Sequence, residues 1–174
     1  LDDKYIFYSK LDENHRARKI YRHEIGNYND EDKLIFEEKS EAFTVSIGLS
    51  SDEKYFFITT SDHNTSEQYY FKVNEKDPTP KLVKKREKGI IYSVSSWNNK
   101  FYNHTNKHAE DFKIDISDSL ESQNWKPFVA AKDEVLIGGC IFLNNWIIRS
   151  APSNALDKLF VSNISTGFEE ELTF

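Results

Sequence analysis

The chain has 174 residues, a formal net charge of −6, 14% aromatic and 30% charged residues. That mix suits a folded globular domain and not a disordered one, and the lack of a basic stripe speaks against nucleic-acid binding. One cysteine, Cys140, permits no internal disulfide, and no apolar run reaches the roughly 18 residues of a membrane-crossing helix.

The predicted elements are all strands, and they fall into four units of one rhythm. The first unit, 1–38, carries runs at Lys4–Lys10, Lys19–Glu24 and Lys33–Glu37. The second, 39–86, carries Phe43–Leu49, Lys54–Thr60, Glu67–Val73 and Lys81–Lys85. The third, 87–132, carries Ile91–Ser96, Lys100–Thr105, Asp111–Ile116 and Lys126–Ala130. The fourth, 133–174, carries Val135–Leu143, Asn145–Ser150, Leu159–Asn163 and Phe168–Leu172. The runs are short, rich in β-branched and aromatic residues, and often alternate in polarity. Ser117–Gln123 reads as a loop.

The steps from Lys4 to Lys54, Lys100 and Trp146 are 50, 46 and 46 residues. A period in the high forties with several strands per unit is the spacing of β-propeller blades. The fold class is therefore all-β: a propeller fragment of about four four-stranded antiparallel blades, the first lacking its innermost strand. First and second runs are joined by Ser51-Asp52-Glu53, Trp97-Asn98-Asn99 and Leu143-Asn144-Asn145. Asn and Asp accept left-handed backbone and bond their own main chain, so they suit tight hairpins. The basic run from Lys81 to Lys88 alternates with apolar residues and reads as the wet face of a strand. The chain starts at Leu1 and has no methionine, which gives the expectation that it is a piece of something longer. No signal peptide is expected at its start.

Chemistry-bearing motifs are few. Gly48-Leu49-Ser50-Ser51-Asp52 approaches a nucleophile elbow, but its fifth position is Asp and it sits in a strand-to-strand hairpin. Ser50-x-Asp52-x-Lys54 is similar to the Asp-box turn of sialidase propellers without its Gly and Trp, so it reads as hairpin chemistry. His104 and His108 are four apart but straddle a loop, unlike a zinc pair on a helix. Cys140 lies in an apolar run and reads as a buried structural thiol. Neighbouring carboxylates such as Glu37-Glu38 alternate across a strand, against a paired acid–base site. No catalytic, metal or cofactor residue is expected.

Several stretches resemble the oligopeptidase B group of the prolyl oligopeptidase family of serine peptidases. They are Asp12-Glu13-Asn14-His15-Arg16 leading to Lys19–Gly26, Asp32–Lys39, Thr65-Ser66-Glu67, Arg86-Glu87-Lys88-Gly89 with Tyr92-Ser93-Val94, and Phe101-Tyr102 with Thr105-Asn106-Lys107 and Asp111-Phe112-Lys113. Their order runs over essentially the whole chain. Ser95-Ser96 stands where the family usually has an Asp-His pair, and Ile90-Ile91 where it favours a polar residue and Glu. Those departures touch an interdomain contact at that place, not the fold.

The resemblance implies a cytoplasmic peptidase that cleaves after Arg or Lys and whose propeller gates access by substrate size. It implies that the triad lies beyond the propeller, so this chain alone is inactive. The expected partners are the hydrolase domain of the same peptidase and peptides passing the propeller, with no nucleic acid and no membrane. Open blade faces also raise the expectation of self-association. The expected tunnel-lining residues are Thr44, Ser46, Gly48, Ser93, Ser95, Gly138 and Cys140. The competing expectation is a stand-alone propeller module that binds a protein partner.

Overall fold

The computed structural model describes residues 4–152, 156 and 158–173. Residues 1–3, 153–155, 157 and 174 lie outside them. Fifteen strands form among the described residues, with no α-helix. The first sheet holds β1 (Tyr5–Leu11), β2 (Ala17–Glu24) and β3 (Lys33–Glu37). The second holds β4 (Thr44–Leu49), β5 (Tyr55–Ser61), β6 (Ser66–Lys72) and β7 (Lys81–Lys84). The third holds β8 (Tyr92–Trp97), β9 (Lys100–Thr105), β10 (Lys113–Ser117) and β11 (Lys126–Val129). The fourth holds β12 (Cys140–Leu143), β13 (Trp146–Ser150), β14 (Leu159–Asn163) and β15 (Glu169–Leu172). Each sheet is an antiparallel meander in sequence order, as the repeat predicts.

The hairpins explain why glycine is scarce. Glu53, Asn98, Asn99 and Asn144 adopt φ of 54°, 50°, 58° and 42°. These are left-handed conformations that Asn tolerates at small cost. At the Ser50 turn the Asp side chain also serves: Ser50 Oγ donates to Asp52 Oδ1 at 2.8 Å and accepts from the Lys54 and Tyr55 N–H groups.

The chain divides into two compact units, Leu1–Ser93 and Val94–Phe174. In the first unit the core joins the first two sheets. Ile20, Val45, Ile58 and Phe71 are buried, with Phe7, Phe36, Phe56 and Tyr69 packed on them. Phe7 lies 4.7 Å from Phe56, and Phe36 lies 4.7 Å from Tyr69, ring centre to ring centre. Each such side chain contributes about 1.5–3 kcal/mol by leaving water. In the second unit Tyr102, Ile114, Ile137, Phe142 and Ile147 form the core. Tyr102 and Phe142 stand 4.6 Å apart, within the range of favourable aromatic pairs.

Two strands begin at least two residues later than expected. The strand expected from Val135 begins only at Cys140. Upstream, the Ile137 N–H donates to the Asp111 carbonyl and Val135 makes one isolated bridge to Lys132. The strand expected from Asp111 begins at Lys113, because Phe112 takes φ of 66°. Its ring is stacked on His104 at 4.7 Å, so a side-chain contact accompanies the backbone turn.

Candidate functional site

The seven expected tunnel residues all map to the first strand of a sheet or just before it. Thr44, Ser46 and Gly48 alternate along β4 and so share one face, with Ser46 and Gly48 exposed. Ser93 and Ser95 alternate along β8, and Ser93 is exposed while Val94 and Ser96 on the other face are buried. Gly138 precedes β12 and lies tight against Ser150. A Cβ there would stand 1.9 Å from Ser150 Oγ. Cys140 starts β12 and packs against the second unit's core. Burial pushes its thiol up to about 11, so at neutral pH it is a thiol and a poor nucleophile.

The strongest polar constellation lies elsewhere, and its pairing across strands is invisible to sequence periodicity. Arg86, just past β7, turns inward instead of extending the wet face of that strand. Its Nη2 is 2.5 Å from Glu38 Oε2 and 2.7 Å from Glu67 Oε2. Glu67 also accepts from the Arg86 Nε and backbone N–H. Glu38 accepts from the Thr60 hydroxyl at 2.6 Å and the Ser40 N–H at 2.8 Å. Both carboxylates are buried. Burial alone would raise the Glu38 pKa, but the bonds from Thr60, Ser40 and Arg86 outweigh it and hold the carboxyl below its ordinary value. Burial likewise opposes charge on Arg86, and the two carboxylates more than offset it. The Arg86 guanidinium also sits 4.1 Å above the Phe43 ring. Both carboxylates are buried and taken up by donors from Arg86, with Thr60 and Ser40 also on Glu38, so the arrangement is a structural clamp and not an acid–base pair.

Tyr92 forms a second anchor in the same unit. Its hydroxyl accepts from the Gln68 N–H at 2.8 Å and donates to the Lys84 carbonyl at 2.5 Å. Its backbone N–H donates to Ser66 Oγ at 2.7 Å. Burial raises the phenol to about 12. In the first sheet Asp32 accepts from the Tyr8 hydroxyl at 2.5 Å and lies 2.6 Å from His23 Nδ1. Those two bonds hold the Asp32 carboxyl below its ordinary range. In the second unit His104 Nε2 lies 2.6 Å from the Ile137 carbonyl, a bond to the main chain. Burial lowers its pKa.

The family model described as the prolyl oligopeptidase N-terminal beta-propeller domain matches residues 1–173. The chain belongs to the prolyl oligopeptidase family. Among curated relatives of this family, Protease 2 of Moraxella lacunata is 31% identical over 147 residues, which is 78% of this chain and 21% of that protein. Dipeptidyl aminopeptidase BI of Pseudoxanthomonas mexicana is 27% identical over 164 residues, 92% of this chain and 22% of that protein. The chain thus spans about a fifth of the prolyl oligopeptidase relatives it matches. Its fold agrees with oligopeptidase B of Trypanosoma brucei, solved in a closed form with covalently bound antipain. The TM-score is 0.91 at 24% identity, over 98% of this chain and 26% of that one. Oligopeptidase B of Leishmania major gives a TM-score of 0.90 at 21% identity, covering 99% and 26%. The four meander sheets are therefore propeller blades of this family. No helix among the described residues is long and apolar enough to cross a membrane.

Proposed function

We propose that this chain is the gating portion of an oligopeptidase B-like serine peptidase of the cytoplasm, which cleaves peptides after Arg or Lys. The observation that carries the reading is the 31% identity to Protease 2 over 78% of the chain. Hydrolysis belongs to a separate hydrolase domain, the expected partner, and this chain contributes size selection. Thr44, Ser46, Gly48 and Ser93 in the first unit are the small side chains expected beside a passing peptide. Ser95, Gly138 and Cys140 have that role in the second unit. Small side chains suit it because they leave room for an extended backbone.

The test is a chimera in which this chain replaces the matching segment of Moraxella lacunata Protease 2. The expected chimera cleaves a short arginyl peptide amide and leaves a folded protein intact. The chain alone hydrolyses neither and does not react with a serine-directed phosphonate. Stoichiometric phosphonate labelling of the chain alone overturns the reading, as does a chimera that digests the folded protein.

A further inference from the structure

One carboxylate holds the turn between β1 and β2. Asp12 Oδ1 accepts from the Asn14 and Arg16 N–H groups at 2.9 and 3.0 Å, and Asp12 Oδ2 accepts from Arg18 Nε at 2.9 Å. The bond from the Arg16 N–H leads in holding the Asp12 carboxyl below its ordinary range. The turn takes little from the two arginine side chains. A guanidinium carries five N–H donors. Arg18 commits its Nε to Asp12, and Arg16 commits its Nη2 to the Ala42 carbonyl at 3.2 Å. Neither guanidinium has another partner among the described residues.

Both arginines line one cavity of about 290 Å³, and Asp12, Asn14 and Glu41 complete its wall. The cavity lies between the β1–β2 turn and the connection from β3 to β4, and both segments are complete among the described residues. The fold does not demand arginine there. In the third sheet the corresponding cleft, between the turn after β9 and the connection after β11, is walled by Glu110, Asp111, Asp133 and Glu134, with His108 and Lys132. The first sheet thus offers forked donors where a later repeat offers acids. The planar guanidinium fork matches the two oxygens of a carboxylate. Glu41 is exposed and makes no ion pair. Its charge on the same wall disfavours a dianion such as phosphate more than a single carboxylate.

We propose that this pocket is a carboxylate-binding site, in which the free N–H groups of Arg16 and Arg18 grip the C-terminal carboxylate of a peptide or the side chain of an aspartate or glutamate. Asp12 is a positioning residue. It fixes Arg18 through Nε and Arg16 through the main chain, and leaves the Nη groups of Arg18 open. Hydrogen bonds between charged partners are the strong ones, and two arginines on one wall supply several. The inference stands on the first sheet and the β3–β4 connection, and it does not depend on the gating reading.

The probes are acetyl-trialanine with a free carboxyl end, acetyl-trialanine amide, and acetyl-Ala-Asp-Ala amide. Each is titrated onto the full chain and followed by the Nε–H NMR signals of Arg16 and Arg18. Saturable shifts are expected with at least one of the two acids, and the tighter of them names the source of the carboxylate. Acetyl-trialanine amide should bind at least about tenfold more weakly. Arg16→Gln, at an exposed position, should weaken binding of the acid about tenfold while the thermal midpoint stays nearly the same. Glu41→Gln should tighten it about twofold, a gain that a purely structural role for the turn would not give. Equal binding of acids and amide overturns the proposal, as does undiminished binding by Arg16→Gln. Inorganic phosphate that binds more tightly than either acid also overturns it, because the pocket would then be a general anion patch.

Discussion

Arg86 Nη2 lies 2.5 Å from Glu38 Oε2, across 48 residues of sequence. Glu38 follows the last strand of the first sheet and Arg86 follows the last strand of the second, so the pair ties two successive sheets of the first unit together. Removing the arginine would leave Glu38 and Glu67 buried without their cation. Arg86→Met should cost about 3 kcal/mol, as expected for breaking one side of a buried ion pair. Arg86→Lys should recover little, because an ammonium cannot reproduce the forked contacts. Glu38→Gln in the Met background should restore part of the loss. Urea unfolding of the four proteins measures all of this.

The titratable groups fix a direction for acid sensitivity. The Glu38 carboxyl is held below its ordinary 4.5 in the fold. Its contribution is complete above that value and is lost as pH falls through the lower folded one. Burial holds His104 below its ordinary 6.5. The fold binds its proton less readily than the unfolded chain does, so this contribution too is present above pH 6.5 and lost on acidification. Urea midpoints measured from pH 8 to pH 3 should fall from about 6.5 downward. His104→Asn should flatten the upper part of that fall, and Glu38→Gln the lower part.

Tyr92→Phe should destabilise the chain by about 1–3 kcal/mol. The change removes one oxygen but leaves the Gln68 N–H and the Lys84 carbonyl without the partner they have now. Amide exchange at Gln68 should quicken more than exchange in β2, which separates loss of this anchor from general loosening.

Adjacent glycines should respond unequally to the same change. At Gly138 a new Cβ would meet the Ser150 carbonyl oxygen at 2.8 Å as well as its hydroxyl, whereas at Gly139 it meets nothing within 4 Å. Gly138→Ala should therefore cost about 1–3 kcal/mol, the usual penalty for overpacking. Gly139→Ala should be nearly neutral. Thermal melts of the two variants read the difference directly.

The repeat was legible because strand chemistry is local. The run expected at Lys54–Thr60 is β5 at Tyr55–Ser61, and that at Lys100–Thr105 is β9 without change. Asn98, Asn99 and Asn144 announce their turns by residue type alone. The Arg86 clamp was not legible, since Glu38, Glu67 and Arg86 converge only after two sheets have packed. Within a basic run, nothing in composition separates the inward Arg86 from its solvated neighbours. The Gly138-Gly139 step was hidden for a related reason. A continuous apolar run says that a segment is buried, but not that its N–H groups bond outside the expected ladder, as Ile137 does with Asp111.

Because strand order within every sheet follows chain order, the hydrogen-bonded ladder of each sheet needs nothing synthesised after its own last strand. β4 can pair with β5, and β5 with β6, while later residues are still inside the ribosome. Closing short hairpin loops takes microseconds or less, and synthesis proceeds at about 5–20 residues per second. The chain should therefore fold in the order in which it emerges, one blade at a time.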